Sequence, residues 1–551
     1  MTMPGPCLPH LVLFEDQHLL VVRKPAGWNT HAPSPHAGEG VYDWLRHREP
    51  RWAGLAIIHR LDKETSGVLA FANSPEANRS LSAQFEGRTV RKTYQLVTDR
   101  PVRPPGGQSP AEFTLVSTLE RVGDRYESRP MRPGADRAET RFRVVEAGEG
   151  TGLTRLEAEP VTGRTHQIRV HAAAAGFPIL GDTLYGGTPS GRVHLHAAAL
   201  TLQHPVTHEE MTLASPAEFG ADPRQALRRA LQEWAPSGES LTTAWRWVHG
   251  AADGWPGWQV EALGEFLLSQ SEHPLTEVQR QALQGWLGGD PARRGAYHKV
   301  LNRQVRRTQP GAASPQHVLG EAAPPRFAIL ENGVRFELSF EEGYSVGLFL
   351  DQRDNRRRFR VGHVAAGFPL WAAPGSEPPE VLNTFAYTCG FSVCAALGGA
   401  RTTSLDLSRK YLDWGRRNFA LNGLDPAAHD FIYGDALEWL RRLARKGRRF
   451  DAVVLDPPTF SQSKEGGLFR AEKDYGRLAE LALGVLKPGG VLLASTNAAT
   501  VAPEDFLQGL EEAVRSVGRR VAQRHYVPQP PDFPITREEP AHLKTAWLRV
   551  T

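Results

Sequence analysis

Residues 59–72 read HRLDKETSGVLAFA, a polar stretch with Asp62 near its centre that runs into an apolar, strand-like one. Short β-prone runs broken by Gly, Pro and Asp surround it, at residues 11–14, 19–22 and 94–97. This pattern predicts a strand-rich block. A lone aspartate is more typical of a solvated loop or a helix cap, so the residues around Asp62 must decide its role.

The last third of the chain has a different pattern. Short apolar runs alternate there with helical segments, which predicts a parallel, doubly wound α/β sheet. Ligands of such sheets bind at the carboxyl ends of the strands. Asp456 ends one such run, in the stretch LDPPTF at 455–460. The predicted strands lie at 381–382, 403–405, 452–455 and 491–494, and two of the predicted helices at 409–422 and 471–486.

A chain of 551 residues is too long for a single core and predicts two to four domains. The first is expected at 10–234, ending in a helical pattern over 223–234. The stretch APSGES at 235–240 is typical of a linker. A smaller α+β domain at 241–340 and the doubly wound domain at 341–551 are predicted to follow.

The bulk composition excludes few classes of protein function. The chain is 40% hydrophobic and 23% charged, as expected of globular protein, and its net charge of +4 permits RNA binding without indicating it. Cys7, Cys389 and Cys394 form no CxxC pair, so neither a zinc site nor a disulfide framework is predicted. No apolar run could span a bilayer, and residues 1–9 lack the features of a secretion signal. We therefore expect a cytoplasmic protein without membrane contact.

The stretch at 59–72 resembles the active-site signature of the RluA-type RNA pseudouridine synthases almost continuously. Further matches follow in the family's order across about residues 10–215, so chance agreement is negligible. The resemblance implies a mixed or antiparallel α+β pseudouridine synthase fold that needs no metal and no cofactor. The matching segments are Gln84-Phe85, RKTY at 91–94, GRTHQIRVH at 163–171, PILGD at 178–182, Tyr185-Gly186 and LHA at 195–197.

The same resemblance implies a role for each matching residue. Asp62 is the expected nucleophile, because a carboxylate can add covalently and leave again. Tyr94 is expected to stack on the flipped base and assist proton removal. Arg164 is expected to pair with Asp62 and keep it ionised, since a neighbouring cation lowers a carboxylate pKa. Arg60 would fill the gap that the flipped nucleotide leaves. Lys24, in KPAG at 24–27, is interpreted as part of a rigid turn.

The second half resembles the bacterial 23S rRNA methyltransferases of the RlmI and RlmK type over about residues 240–551. These enzymes use S-adenosylmethionine, and the resemblance implies a Rossmann-like fold for the last domain and an RlmI-like central domain before it. The segments that carry the resemblance are DGWPG at 253–257, ENG at 331–333, EGYSVGLFLDQR at 342–353, residues 406–423 and DPPTFSQSK at 456–464.

Cofactor residues are expected at the carboxyl ends of strands in this domain. Small residues in NTFAYTCGFS at 383–392 would let the backbone approach the ligand. Asp406 would hold the ribose hydroxyls, Asp435 the adenine, and Asp456 would face the methyl group. Each aspartate alone could equally be a helix cap. The cofactor-binding set implied by the resemblance is Arg353, Asn383, Phe385, Tyr387, Asp406, Asp435 and Asp456, and Asp456 is also a candidate catalytic residue.

Cysteine placement bears on the methylated atom. Cytosine C5 is a poor nucleophile, so its methylation needs a cysteine that first adds to C6. RlmI-like enzymes typically place it shortly after the strand equivalent to 491–494, where this chain has Ser-Thr-Asn-Ala at 495–498. Guanine N7 carries an in-plane lone pair and needs only positioning. We therefore expect a ring-nitrogen target, with guanine N7 first.

The sequence thus predicts a bifunctional enzyme that isomerises uridine and methylates a base of 23S rRNA or a pre-50S particle. Three alternatives stay open: a single-activity methyltransferase whose synthase half only grips RNA, a cytosine-C5 methyltransferase, and a non-enzymatic ribosome assembly factor. The sequence does not identify the target nucleotides or the oligomeric state. It also does not show whether the substrate of the synthase half is rRNA or tRNA.

Overall fold

The computed structural model describes residues 11–104, 111–147, 152–220, 222–232, 241–301, 314–342, 345–371, 377–463 and 467–551. The predicted linker at 235–240 and Cys7 lie outside these residues. The chain divides into two compact units. The first comprises Met1–Ala32, Gly40–Asp43 and Gly54–Ser240, and the second Pro33–Glu39, Trp44–Ala53 and Leu241–Thr551.

Eleven strands and four helices are described before the second unit's main segment begins. The strands are β1 (Val12–Glu15), β2 (Leu19–Lys24), β3 (Ala56–Ile57), β4 (Ser66–Ala72), β5 (Arg91–Thr98), β6 (Glu112–Val122), β7 (Arg125–Arg129), β8 (Arg137–Ala147), β9 (Thr154–Pro160), β10 (Leu195–Gln203) and β11 (Glu210–Ala214). The helices are α1 (Val41–Arg48), α2 (Pro75–Glu86), α3 (Gln167–Ala174) and α4 (Pro223–Gln232).

These strands form one sheet in the order β1-β2-β4-β10-β5-β9-β8-β6-β7, with β3 beside β4 and β11 beside β10. All pairs are antiparallel except β4 with β10. The predicted mixed or antiparallel α+β fold is confirmed. Strand β4 is central, and all seven of its residues are buried. It therefore holds the sequence that follows Asp62 in a fixed place.

Gly67 explains why the motif has a glycine at the start of β4. Its backbone has φ +120°, and a Cβ there would lie 2.2 Å from the carbonyl oxygen of Ala197 on β10. Any side chain would separate the two strands, because backbone cannot move aside as a flexible side chain can. The glycine is thus required by sheet packing immediately behind the aspartate loop.

The second unit contains eighteen further described strands and seven helices. The strands are β12 (Ala244–His249), β13 (Trp258–Leu263), β14 (Phe266–Ser271), β15 (Gly295–Val300), β16 (Gln316–Gly320), β17 (Phe327–Glu331), β18 (Val334–Leu338), β19 (His363–Ala365), β20 (Phe368–Pro369), β21 (Glu380–Thr384), β22 (Arg401–Asp406), β23 (Asp430–Tyr433), β24 (Phe450–Leu455), β25 (Phe460–Ser463), β26 (Gly467–Arg470), β27 (Leu486–Thr496), β28 (Val521–Val527) and β29 (Lys544–Val550). The helices are α5 (Glu277–Gly289), α6 (Arg353–Val361), α7 (Gly390–Leu397), α8 (Arg409–Leu421), α9 (Ala436–Arg445), α10 (Ala471–Leu483) and α11 (Pro503–Ser516).

Strands β12 to β16 form a five-stranded sheet, and seven strands form a second sheet in the order β23-β22-β21-β24-β27-β29-β28. The first five of these seven are parallel, and β29 is antiparallel to both neighbours. The predicted doubly wound α/β fold is confirmed. The chain order reverses between β21 and β24, so a ligand crevice is expected at their carboxyl ends.

Both faces of the seven-stranded sheet are covered. Alternate residues of its strands enter two separate apolar clusters, as the two-residue repeat of a strand requires. One face packs on α6, α7 and α8, and the other on α9, α10 and α11. The first cluster includes Val381, Val454, Leu493, Phe359, Val393 and Leu412, and the second Leu382, Val453, Leu492, Leu440, Leu478 and Leu510.

The first cluster also takes in Ala244, Leu263 and Phe266 of the five-stranded sheet. The central α+β region and the doubly wound region therefore share one core within the second unit. Their predicted division near residue 340 stays a prediction. None of the described helices is long and apolar enough to cross a membrane.

Candidate active sites

Asp62 lies in the loop between β3 and β4, and the backbone on both sides of it is fixed. The Thr30 hydroxyl donates to the Leu61 carbonyl at 2.8 Å, and the Leu61 N–H donates back to the same hydroxyl at 3.2 Å. The Lys24 ammonium donates to the Lys63 carbonyl at 3.0 Å. The Asp62 side chain itself keeps 29% of its surface exposed. The loop thus presents a reachable carboxylate on an immobilised backbone.

Lys24 is fully buried and donates two more hydrogen bonds, to the carbonyls of Trp28 at 2.6 Å and Pro25 at 3.0 Å. Burial lowers the pKa of Lys24 to about 7, and the charges of Glu64 and Asp62 oppose that shift. These three partners are backbone carbonyls. Lys24 therefore organises the turn that supports the aspartate loop, in keeping with its interpretation as part of a rigid turn.

Tyr94 lies on β5, is half-buried, and packs against an apolar cluster of the first unit. Burial raises the pKa of Tyr94, and the negative charge of Asp62 adds to the shift, so the hydroxyl is protonated at neutral pH. Arg60 is exposed two residues before Asp62. The base-flipping roles expected of Tyr94 and Arg60 stay predictions.

The expected pair between Arg164 and Asp62 is wrong. Arg164 pairs with the exposed Asp136 at 2.9 Å, whereas the Nη1 of Arg169 lies 3.7 Å from the Asp62 carboxylate. Arg164 precedes α3, while Arg169 lies within that helix and is buried. Two hydrogen bonds of 2.7 Å to Asp182 hold its guanidinium in place. Arg169 is therefore the arginine that lies beside Asp62.

His166 is a second neighbour of Asp62, with its Nε2 3.9 Å from the carboxylate. It is the N-cap residue of α3 and has a left-handed conformation, with φ 57°. Its Nδ1 is 2.8 Å from the Tyr185 hydroxyl, which accepts a hydrogen bond from the Tyr126 N–H. His166 and Arg169 lie in the matching stretch at 163–171, but the resemblance alone did not assign either of them to this site. Their i, i+3 spacing, which puts both on one helix face, was the available signal.

In the second unit, Asp406 ends β22 and accepts two backbone hydrogen bonds. The N–H groups of Tyr387 and Ser408 each donate to it at 2.8 Å. Burial raises the pKa of Asp406, and these hydrogen bonds oppose the shift. The carboxylate thereby joins the loop after β21 to the end of β22. This is the strand-end position that sequence analysis expected.

The loop after β21 has an unusual backbone. Phe385, Tyr387 and Cys389 all have left-handed φ values, of 55°, 49° and 62°. Such a conformation costs a non-glycine residue on the order of 1–3 kcal/mol and is concentrated at functional sites. Alternation of left- and right-handed residues turns backbone N–H groups toward one side, where they can bind an anion or a polar ligand. This geometry lies at the carboxyl edge, where a cofactor is expected.

The remaining predicted cofactor residues have protein partners. Asn383 is buried and donates to the Ser392 hydroxyl at 2.9 Å. Asp435 caps α9 by accepting the Glu438 N–H at 3.1 Å. Asn383 and Asp435 lie at or just after the ends of β21 and β23, so their expected cofactor roles stay predictions.

Arg353 requires a correction. Its side chain is buried and donates two hydrogen bonds to Asp532, at 3.1 and 2.5 Å. Asp532 is itself buried, and its charge raises the pKa of Arg353 against the effect of burial. The structure therefore gives Arg353 a part in an internal ion pair in place of the expected cofactor contact.

Asp456 follows β24 and receives a hydrogen bond from the Gln352 side-chain amide at 3.1 Å. Asn355 donates to the Gln352 oxygen at 2.7 Å, which turns the amide nitrogen toward Asp456. Burial raises the pKa of Asp456 to about 7, the charge of Asp351 adds to the shift, and Arg356 and Gln352 oppose it. The carboxyl thus changes charge in the physiological range, which is typical of functional groups.

Three large aromatic side chains are exposed near this edge. Phe349, Tyr433 and Phe460 keep 52%, 50% and 56% of their surface accessible. Tyr433 ends β23 and Phe460 follows Asp456 by four residues, while the Phe349 ring lies 5.4 Å from that of Tyr387. Exposed aromatic faces can stack on bases. Sequence analysis did not single out Phe349, Tyr433 or Phe460 by itself.

The two described cysteines are buried and free. Burial raises the pKa of the Cys389 and Cys394 thiols to about 12. Thiols are nucleophilic as thiolates, so neither is prepared for covalent chemistry. Ser495 and Thr496 end β27 where a catalytic cysteine would be expected, and the Ser495 hydroxyl is 3.2 Å from that of Thr545.

Comparison with known proteins identifies two families, one for each half of the chain. Residues 18–174 match the RNA pseudouridylate synthase family, and residues 258–549 match the S-adenosylmethionine-dependent methyltransferase family. A ribosomal RNA large subunit methyltransferase of Deinococcus radiodurans is 35% identical over 320 residues, which are 56% of this chain and 73% of that protein.

Two further proteins are similar to the second half of the chain. The ribosomal RNA large subunit methyltransferase I of Klebsiella pneumoniae is 32% identical over 320 residues, covering 58% of this chain and 76% of that protein. The solved structure of SMU.776, a methyltransferase complexed with SAH, is 26% identical with a TM-score of 0.49, covering 63% of this chain and 86% of that one.

Proposed function

The chain belongs to the S-adenosylmethionine-dependent methyltransferase family and carries an RNA pseudouridylate synthase domain before it, and from this premise we propose that it modifies RNA in two ways. The first unit isomerises uridine, and the second transfers a methyl group to a base. The observation that carries the proposal is the presence of two separately built carboxylate sites, at Asp62 and Asp456. Each is held by buried polar contacts that a mere binding module would not need.

In the first reaction, the C1′–N1 bond of a flipped uridine breaks, the base turns, and a C1′–C5 bond forms. N1 gains a proton and C5 loses one, so the product is an isomer. Asp62 is the nucleophile that adds to the substrate and leaves again. The Arg169 guanidinium lies 3.7 Å from its carboxylate. Arg60 is exposed and free to occupy the gap in the RNA stack.

In the second reaction, S-adenosylmethionine supplies an electrophilic methyl group. The residues suited to hold it are the left-handed loop at 385–389 and Asp406, with Asp435 at the adenine end. Asp456 and Phe460 face the target base, the first through hydrogen bonding and the second through stacking. This arrangement requires no residue of the chain to become covalently attached to RNA.

We assign a ring-nitrogen target, with guanine N7 first. The two described thiols are buried with raised pKa values, which argues against a cysteine-dependent attack on cytosine. Methylation of guanine N7 places a positive charge on the base. The Asp456 and Asp351 carboxylates would stabilise that charge as it develops.

The proposed substrate is large-subunit ribosomal RNA, 23S rRNA or a pre-50S particle, because the relatives of the second half are named as ribosomal RNA large subunit methyltransferases. Joining the two catalysts raises the effective concentration of one near the other's RNA. We therefore propose that the two target nucleotides lie close together in folded rRNA. Targets on unrelated RNAs would contradict this part of the proposal.

The purified chain tests the proposal directly. Large-subunit rRNA from cells lacking the protein is incubated with it, with or without S-adenosylmethionine, and its nucleosides are separated and weighed. Pseudouridine should appear in both reactions, and a methylated base only when the cofactor is present. A methylated base without any gain of pseudouridine would support the single-activity alternative. Failure to gain either mark on naked rRNA and on pre-50S particles would favour an assembly factor.

The target atom has its own test. A chain with Cys389→Ala and Cys394→Ala should keep most of its methylation activity, because neither thiol takes part in the reaction. The methylated nucleoside should be 7-methylguanosine by mass and by cleavage of the RNA after borohydride and aniline. Protein-dependent 5-methylcytosine, lost in the double variant while cofactor binding persists, would overturn the assignment.

A further inference from the structure

Three side chains of the second unit come together away from the carboxylate site. One potential ligand atom from each of Glu39, His47 and His525 lies within 4.8 Å of the others. The Nδ1 of His47 is 2.8 Å from the Glu39 carboxylate. The ring centroids of His47 and His525 are 4.5 Å apart, with their planes at 72°. The three groups therefore converge on one small volume.

The three residues come from separate elements. Glu39 lies before α1, His47 in the last turn of α1, and His525 on β28, which is an edge strand of the seven-stranded sheet. Because the ligand set spans nearly the whole sequence, no local spacing could predict it. The structure groups residues 33–39 and 44–53 with the second unit, so all three belong to the same compact body.

Burial distinguishes the cluster from a surface histidine patch. The side chains of Glu39 and His47 are 10% and 19% exposed. The Nε2 atom of His525 is buried and has no hydrogen-bond partner among the described residues. Burying a nitrogen without a hydrogen-bond partner costs free energy. A ligand that accepts its lone pair would remove that cost.

The charges around the cluster decide what it can bind. The buried Nε2 of His525, which has no hydrogen-bond partner among the described residues, is available to a ligand. Arg358 approaches the Glu39 carboxylate at 3.9 Å and competes for it. Two other nearby arginines have carboxylate partners: Arg48 pairs with Asp354 at 3.1 Å, and Arg357 pairs with Glu49.

We propose that Glu39, His47 and His525 form a binding site for a divalent transition-metal ion of the zinc type. Two imidazole nitrogens and one carboxylate oxygen suit zinc, nickel or cobalt, whereas magnesium and calcium prefer oxygen alone. A water molecule can complete a tetrahedral set. The ion would fix Glu39 and His47 against β28 within the second unit, and it takes no part in either proposed reaction.

The test uses the full chain, stripped with a chelator and titrated with Zn²⁺ alone by calorimetry and by thermal melting. One equivalent should bind and raise the melting temperature, and Mg²⁺ should do neither. His47→Gln and His525→Gln should each weaken Zn²⁺ binding roughly tenfold or more and abolish the metal-dependent shift. His317→Gln, at an exposed histidine of the same unit, is the matched control and should behave as wild type.

Each variant's melting shift is measured against its own metal-free melt, so a loss of stability cannot imitate a loss of metal binding. Co²⁺ adds a direct readout, since tetrahedral nitrogen and oxygen ligation gives an intense visible absorption band that both glutamine variants should lose. The proposal would be overturned if wild type did not bind Zn²⁺, or if His47→Gln and His525→Gln bound it as strongly as wild type. The cluster would then be explained by the hydrogen bond between His47 and Glu39.

Discussion

At the scale of single residues, the two sites differ in how their aspartates are held. Asp62 has a fixed backbone, an exposed edge and a buried cation beside it, in Arg169. Asp456 instead accepts a hydrogen bond from an amide donor, and burial and a carboxylate neighbour raise its pKa to about 7 against the effect of that bond. The sequence identified both aspartates through their motifs. It could not separate Arg164 from Arg169, because both belong to one motif and only the start of α3 at Gln167 decides which one faces Asp62.

The two arginines can be compared by substitution. Arg169→Gln leaves Asp182, whose side chain is 1% exposed, without its charged partner, so we expect a loss of about 3–5 kcal/mol in the free energy of unfolding. Arg164→Gln removes a contact with an exposed carboxylate and should cost at most about 1 kcal/mol. Chemical denaturation, with pseudouridine formation assayed in parallel, measures both. Equal losses from the two variants would contradict the assignment of Arg169.

Asp456→Asn should stabilise the protein while removing methylation. The pKa of this acid is raised in the folded state, so between its unfolded value of 3.8 and about 7 the folded protein binds the extra proton. Stability therefore falls as pH rises through that window and stays reduced above it. The charged groups that act on it are Asp351, which adds to the shift, and Arg356, which opposes it.

The melting temperature of Asp456→Asn should consequently exceed that of wild type at about pH 8, and the difference should vanish toward about pH 4. Asp413→Asn, at an exposed position on α8, is the control and should show no such dependence. If Asp456→Asn were less stable than wild type at high pH, the Asp456 carboxylate would stabilise the fold. The idea that burying this carboxylate lowers stability for the sake of function would then be contradicted.

At the scale of elements, the strand and helix pattern of the last domain was predictable because its period is regular. The helix predicted at 409–422 is α8, and the one predicted at 471–486 is α10, which ends three residues early because Gly484 follows. The left-handed backbone at Phe385, Tyr387 and Cys389 was not predictable, since bulky residues there give no glycine signal. The Arg353–Asp532 pair was equally hidden, because it depends on a contact across 179 residues.

The packing of α8 against that loop can be tested at Gly415. A Cβ at this position would lie 2.3 Å from the Cys389 thiol and 2.9 Å from its Cβ. Gly415→Ala should therefore destabilise the protein by about 1–3 kcal/mol through overpacking, and it should weaken S-adenosylmethionine binding. Adding Cys389→Gly removes both obstructing atoms and should restore stability and binding.

Gly509→Ala on α11 is the matched control, because nothing lies within 4 Å of the added carbon. There the ordinary helix preference should operate and stabilise the protein by about 0.5–1 kcal/mol. Thermal and chemical denaturation report the stabilities, and calorimetry reports cofactor binding. If Gly415→Ala and Gly509→Ala stabilised the protein equally, the loop after β21 would not be tightly packed against α8.

At the scale of the whole molecule, each unit contains one complete candidate site. The sequence predicted the two fold classes because each half carries many ordered motifs. It did not predict that residues 33–39 and 44–53 are grouped with the second unit. The grouping was not predictable because it depends on contacts between residues far apart in sequence. The buried side chain of Arg48, for example, donates hydrogen bonds to Asp354 at 3.1 Å and to Asn332 at 2.5 Å.

The central claim is that one chain makes two different marks on RNA, and a separation-of-function map tests it most directly. Cells lacking the protein are complemented with wild type, Asp62→Asn or Asp456→Asn, and pseudouridines and methylated bases are mapped across their rRNA. We expect Asp62→Asn to lack only the pseudouridine and Asp456→Asn to lack only the methyl group. If Asp62→Asn retained every pseudouridine that wild type restores, or if each variant lost both marks, the two-site account would be contradicted.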